Sequence, residues 1–401
     1  MKLFFDDASF DSELQRTAAK ASYGCADLGE VFAIAARITP ADLDSWYRAW
    51  FAAGVDNRDL AESEASRGNV YTATQAFLRA SEYFRSAYFY TRRDYTGDAL
   101  QDAWRASREA FWDAIPHLPV PTERVQIPFE GMQLPGYLFL PPDAAAHTLA
   151  GDGGLPVLIF PAGYDGPAEE TYSLGAVEAA MRGFAVLTFD GPGQGEMLYA
   201  HRVPFRFDFE TVVAAAIDVV AARDGLDASR LGIVGRSFGG YLAPRAAANE
   251  PRIAAMTADP AQLDMGAAFA THLPRSLLDM LHNDDPAFND AIWEAYPGVV
   301  GQEYWLSRAR SHGCDTPLEY VKEMAKYTVD VSAIACPTFV SYGEGDFAQS
   351  DSKTFYDRLT VENKRFVMYR DADGGGGHCE GMGPSRFFAD AFGWLAGALS
   401  T

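Results

Sequence analysis

The hexapeptide Gly235-Arg236-Ser237-Phe238-Gly239-Gly240 constrains this chain more than any other feature. It follows the apolar run Leu231-Gly232-Ile233-Val234 and leads into Tyr241, Leu242, Ala243, Arg245 and Ala246, a helical pattern. A serine flanked by glycines at a sharp strand-to-helix turn is lifted out of the sheet into a cleft. The glycines are needed because the turn is strained and neighbouring backbone packs closely around it. The pattern predicts a nucleophilic serine, Ser237, at the turn from a strand into a helix.

The rest of the chain supplies such a sheet. Residues 125–140 predict a hairpin turning near Gly131, followed by an Ala/Gly-rich loop over 143–154. Short apolar runs at 157–160, 185–189, 231–234, 253–257, 338–340 and 366–369 alternate with helical segments, and a helix closes the chain from Phe387 to about Leu399. That alternation predicts an α/β fold with a mostly parallel, doubly covered sheet. Residues 262–329 interrupt it with a helical texture and read as a helical lid insertion. The expected division is a helical N-terminal cap module over 1–120, core over 121–261, the insertion over 262–329, and core again over 330–401.

Within 1–120, Thr39 and Pro40 predict a helix start, with Thr39 as N-cap. Gly54 and Asp56-Asn57 predict a break, and a second helix runs to Ser66-Arg67-Gly68. The many aromatics, among them Trp46, Trp50, Phe51, Phe77 and Tyr83, recur at helical spacing, which predicts a core. The alternative has Phe84, Tyr88 and Tyr90 facing an apolar substrate pocket.

A serine hydroxyl needs a base. In this nucleophile class the chain order is serine, acid, histidine. Of seven histidines, only His378 lies after the next plausible acid, in the glycine-rich loop Gly374-Gly375-Gly376-Gly377-His378. His117, His147, His201, His272, His282 and His312 read as structural, with His272 or His282 as alternatives that touch substrate. The acid belongs just past the run at 338–340. Asp346 is the choice there, with Glu344 as the competitor. Its task is to hold the imidazole tautomer and stabilise the imidazolium. The oxyanion needs backbone N–H donors, one from the residue after the nucleophile. Phe238 is that residue, and Tyr164, in the loop Pro161-Ala162-Gly163-Tyr164-Asp165-Gly166, is the second donor. Asp165, Gly163 and Arg236 are substrate-binding or auxiliary candidates. Asp165 is otherwise a turn residue before glycine.

Gly235 to Gly240, together with Phe189-Asp190-Gly191-Pro192-Gly193-Gln194-Gly195-Glu196 upstream and Gly377-His378-Cys379 downstream, resembles the FrsA-like branch of the α/β-hydrolases over nearly the whole chain. The Asp190–Glu196 stretch is the more branch-specific motif. The resemblance implies an α/β-hydrolase fold, the triad Ser237, Asp346 and His378, and a serine hydrolase that cleaves a C–C bond in a β-dicarbonyl-type substrate, or an ester. A branch relative carries a glutamate in the oxyanion-loop region, for which Asp165 is the counterpart here. The substrate expected is a bulky, apolar, aromatic or polyketide-like small molecule, and a homodimer is implied by the helical module. The alternatives are an acyltransferase or cyclase on the same triad, or a catalytically quiet binding protein.

Composition narrows the remaining classes. The 401 residues carry 33 Lys+Arg against 55 Asp+Glu, a net charge of −22. Such a field opposes nucleic acid and anionic membrane surfaces, and it favours solubility. Acids interrupt the N-terminus where a signal peptide would be apolar, and no stretch has the length of a membrane span. The four cysteines are scattered, with no CxxC pair, so neither a disulfide framework nor a metal site is expected. No cofactor is implied, and the expected location is the cytoplasm.

Overall fold

The structure, a computed structural model, describes residues 2–400, apart from the His272 side chain. It divides into two compact units, one formed by 1–118 and 272–321, the other by 119–271 and 322–401.

The second unit is built on an eight-stranded sheet. Its strands are β1 (Thr122–Phe129), β2 (Met132–Phe139), β3 (Leu155–Ile159), β4 (Ala185–Phe189), β5 (Leu226–Arg236), β6 (Ala255–Asp259), β7 (Thr338–Gly343) and β8 (Lys364–Tyr369), in the order β1-β2-β4-β3-β5-β6-β7-β8. The hairpin β1/β2 is antiparallel and joins β4 in antiparallel fashion, whereas β4-β3-β5-β6-β7-β8 are all parallel. The hairpin turns through Glu130 and Gly131, both at positive φ, as a two-residue turn of this twist requires. Every residue of β4 and β6 is buried, which is the signature of a sheet covered on both faces. Helices Glu210–Ala221 and Gly239–Asn249 pack together against β5, and Ala176–Ala180 packs with Ser385–Ala398. The 143–154 segment contains a short helix, Asp143–Leu149, in place of a loop throughout.

The first unit is helical. Leu43–Ser66 is one continuous 24-residue helix that starts later than expected. Asp42, not Thr39, is its N-cap, because the Asp42 carboxylate accepts the Ser45 N–H at 3.0 Å and satisfies an otherwise orphaned donor. Ala41 at φ 60° breaks any helical path from Thr39. The expected interruption at Gly54 does not occur. A Cβ there would lie 2.6 Å from the Phe84 ring, so this glycine permits close approach of Val70–Tyr88 instead of ending a helix. Gly54→Ala is expected to lower the unfolding midpoint. Overpacking costs about 1–3 kcal/mol, against about 1 kcal/mol gained in helix propensity. Phe84 is fully buried against Phe51 and cannot yield. A thermal or urea melt of the variant checks this.

Phe84, Tyr88 and Tyr90 are buried. Tyr90 packs on Phe10 and Trp46, with its hydroxyl 2.8 Å from Ser9 Oγ. These rings are core, as their spacing predicts. Residues 272–321 cluster with these helices: the Arg93 N–H donates to Glu303 at 3.0 Å, and the Tyr95 hydroxyl to the Ser307 carbonyl at 3.0 Å. The flanks of the 262–329 interval stay with the sheet unit, where the Val329 N–H donates to Leu263. No helix among the described residues is long and apolar enough to cross a membrane.

Candidate active site

Ser237 stands at the turn between β5 and helix Gly239–Asn249, with φ at 56°. A non-glycine residue in the left-handed region is strained, and it persists only where its surroundings hold it. Here the Ser237 N–H donates to the Asp259 carbonyl at 2.8 Å, and its own carbonyl accepts from Gly240 N–H at 2.8 Å and Gln262 Nε2 at 2.7 Å. The flanking glycines are demanded by space. A Cβ on Gly235 would lie 2.1 Å from the Gly239 carbonyl oxygen, and one on Gly240 would lie 1.8 Å from that of Pro260.

His378 and Asp346 meet this serine although they are 141 and 109 positions away in the chain. His378 Nε2 lies 2.9 Å from Ser237 Oγ, and its Nδ1 lies 2.9 Å from Asp346 Oδ2. A carboxylate only accepts, so Nδ1 carries the proton and Nε2 is left to accept from the serine hydroxyl. Asp346 follows β7 and is fully buried at its side chain, while the His378 side chain remains 36% exposed. The histidine loop docks on the acid's strand: Gly377, at φ 85°, donates its N–H to the Glu344 carbonyl at 2.8 Å. Burial alone would depress the imidazole pKa. The neighbouring Cys379 and Asp346 outweigh burial and hold it well above the ordinary histidine value. Glu344, the competing acid, turns elsewhere, its carboxylate accepting the Asp371 N–H at 2.9 Å.

The loop after β3 comes up against the nucleophile. A Cβ on Gly163 would lie 3.6 Å from Ser237 Cβ and 4.0 Å from the Phe238 nitrogen. The Tyr164 ring packs on Phe238 and Phe205 at 4.6 and 5.1 Å, and Asp165 follows, half-buried. What pins this loop is Gln194, whose Nε2 donates to the Ala162 carbonyl and, at 3.2 Å, to that of Gly163. Gln194 Oε1 in turn accepts the Gly191 N–H at 2.9 Å. Asp190 accepts the Ala168 and Glu196 N–H groups at 2.7 and 2.8 Å. The 190–196 motif therefore braces the loop that faces the serine. The sequence displays the motif, but its spacing gives no sign of which carbonyls Gln194 reaches.

Arg236 does not face outward from the nucleophile turn. Its guanidinium is buried among Asp259, Glu380 and the Cys379 carbonyl. Asp259 and Glu380 were not among the sequence-derived candidates, since nothing in their local pattern marks them. Phe347 was missed too. Its ring stacks on His378 at 4.8 Å and is 61% exposed, so it forms one wall beside the imidazole. His312 is buried against Tyr320, and His117, His147, His201 and His282 are exposed. His272 lies outside the described side chains. No group of three or more His, Cys, Asp or Glu among the described residues is placed to hold a metal ion.

A hydroxyl bonded to a tautomer-fixed imidazole, with the backbone of the loop after β3 close beside it, is an arrangement suited to attack on a carbonyl carbon. The profile of the Alpha/beta hydrolase family matches residues 157–391. Hydrolase acrC of Aspergillus aculeatus is 31% identical over 425 residues, covering 98% of this chain and 97% of that protein. The 20-hydroxy-prefusarin hydrolase FUS2 of Gibberella moniliformis is also 31% identical, over 94% of this chain and 92% of that protein. The crystal structure of 2,6-dihydroxy-pseudo-oxynicotine hydrolase shares the fold, with a TM-score of 0.73 at 23% identity over 95% of both chains. The eight-stranded sheet, the strained serine turn and these likenesses agree that the chain is a hydrolase of the α/β-hydrolase family.

Proposed function

We propose that this enzyme is a serine hydrolase working through an acyl-enzyme on Ser237, with His378 as base and Asp346 as its orienting acid. Its substrate is a bulky small molecule with an ester or a β-dicarbonyl-type C–C bond. The observation that carries this reading is the continuous chain of contacts Ser237 Oγ–His378 Nε2 and His378 Nδ1–Asp346 Oδ2, each 2.9 Å, on a strained turn. His378 Nε2 takes the hydroxyl proton as Ser237 Oγ bonds to the substrate carbonyl carbon. The Phe238 and Tyr164 N–H groups hold the oxyanion. Collapse breaks the bond to an alkoxide, or to an enolate carbon where a second carbonyl stabilises it. The imidazolium returns its proton to that leaving group, and water, deprotonated by the same nitrogen, then releases the acid.

Asp165, two residues past Gly163, is our candidate to bind a polar substrate group or to help protonate the leaving group. The exposed Phe347 ring beside His378 favours an aromatic or otherwise apolar substrate portion. Similarity to a 20-hydroxy-prefusarin hydrolase supports a small organic metabolite over a polymer.

A fluorophosphonate probe tests the nucleophile. The expected result is a single covalent adduct that peptide mass spectrometry places on Ser237. Folded wild-type protein that takes up no label, or takes it elsewhere, overturns the reading.

A further inference from the structure

One buried charged cluster has no part in the proposed chemistry, yet it adjoins both halves of it. Arg236 ends β5 and Asp259 ends β6, paired in register across the parallel strands. Glu380 stands two residues past His378. The Arg236 Nη2 donates to the Cys379 carbonyl at 2.6 Å and to Glu380 Oε2 at 2.8 Å, while Nε donates to Asp259 Oδ2 at 3.2 Å. Phe387 and Phe388 lie against the guanidinium at 4.7 and 5.4 Å. Asp259 Oδ1 accepts the Ser341 hydroxyl at 3.0 Å, and the Asp259 carbonyl accepts both the Ser237 N–H at 2.8 Å and the Cys379 thiol at 3.5 Å.

The cluster therefore holds two strained pieces of backbone at once. Ser237 sits at φ 56°, and Cys379 and Glu380 sit at φ 51° and 60°. Neither turn is relaxed by its own sequence, so whatever joins them sets how His378 meets Ser237.

We propose that Arg236, Asp259 and Glu380 form a buried clamp that ties the serine turn to the histidine loop and keeps Ser237 and His378 in hydrogen-bonding register. They are positioning residues, and the proposal rests on the serine-nucleophile reading above.

The charge balance of the clamp is specific. Asp259 and Glu380 are both fully buried, and one guanidinium faces two carboxyl groups. Among the described residues, no hydrogen-bond donor reaches Glu380 Oε1. Asp259 and Glu380 share the one Arg236 guanidinium, which draws two buried carboxyl groups to a single cation. Burial first, then the Asp259 charge, push Glu380 well above the carboxylate range, against the pull of Arg236. The other titratable groups facing Glu380 are Cys379 and, from the end of β8, Tyr369. Neutral Glu380 closes the clamp. Its ionisation at higher pH leaves two buried negative charges on one cation and opens it.

The test is the rate of Ser237 labelling by a fluorophosphonate in the full chain, followed from mildly acidic to mildly alkaline pH. Glu380→Ala is expected to slow labelling by about 10^2-fold, the scale of a displacement near 1 Å at reacting groups. Arg236→Met should behave alike. Glu380→Gln keeps a neutral hydrogen-bonding group, so it should label close to the wild-type rate and lose the alkaline fall-off of the wild type. Where Arg236→Met fails to fold, the Glu380 pair alone decides. Labelling of Glu380→Ala at the wild-type rate overturns the clamp. So does Glu380→Gln slowed as much as Glu380→Ala. Wild-type protein that never labels overturns the serine reading instead, which keeps the two failures apart.

Discussion

Ser237→Ala is expected to lower kcat by about 10^4-fold or more, and His378→Ala by a similar factor. The serine loss removes the atom that bonds to the carbonyl carbon, and the histidine loss leaves a hydroxyl of ordinary acidity with no acceptor at 2.9 Å. The two act as one unit, so the double variant should be scarcely slower than either single one. Some rate above the uncatalysed reaction should survive in all three, because the proposed oxyanion donors Phe238 and Tyr164 are untouched. Neither change should perturb folding strongly. Ser237 is held through its backbone, and the His378 ring lies at the surface of its loop. Steady-state kinetics on an aryl ester and on a β-diketone check this. A Ser237→Ala protein retaining wild-type turnover would falsify the assignment.

Asp346→Asn should cost a comparable factor, about 10^4 in kcat, by a different route. The amide nitrogen offers a donor where Nδ1–H needs an acceptor, so the ring tends to the wrong tautomer and Nε2 no longer accepts from Ser237. The pH profile separates this from simple misfolding. His378 must be neutral to act as base, so activity is lost as pH falls through its pKa. With that pKa held up by Cys379 and Asp346, the acid limb of the wild type lies above the ordinary histidine value of about 6.5. Removing the Asp346 charge takes away part of what raises it, so the limb should move to lower pH while the plateau falls. A kcat/KM profile reports this for the free enzyme. An acid limb unmoved in Asp346→Asn would mean that some other group titrates there.

Much of this was legible in the chain. Local patterns carried it: alternating apolar runs for the sheet, glycines at fixed offsets for the serine turn, and a hairpin turn marked by Gly131. Chain order alone pointed to His378 and to Asp346 or Glu344. Other residues were misread because the same residue type serves two purposes. Gly54 looks like a helix break in sequence, and in three dimensions it is the gap that Phe84 fills. Thr39 looks like a cap, yet Asp42 takes that place through a bond that depends on the backbone reversing at Ala41.

The sequence by itself determined the fold class and the identity of the serine turn, because both follow from periodicity and steric rules that act within a few residues. Tertiary structure alone decided the partnerships. It set Asp346, and not Glu344, against the His378 ring, placed Gln194 on the carbonyls of the loop facing Ser237, and brought Arg236, Asp259 and Glu380 together from positions up to 144 residues apart. Such contacts are made where strand ends and loops converge after the chain has folded. They depend on distance in space, and sequence spacing carries no record of it.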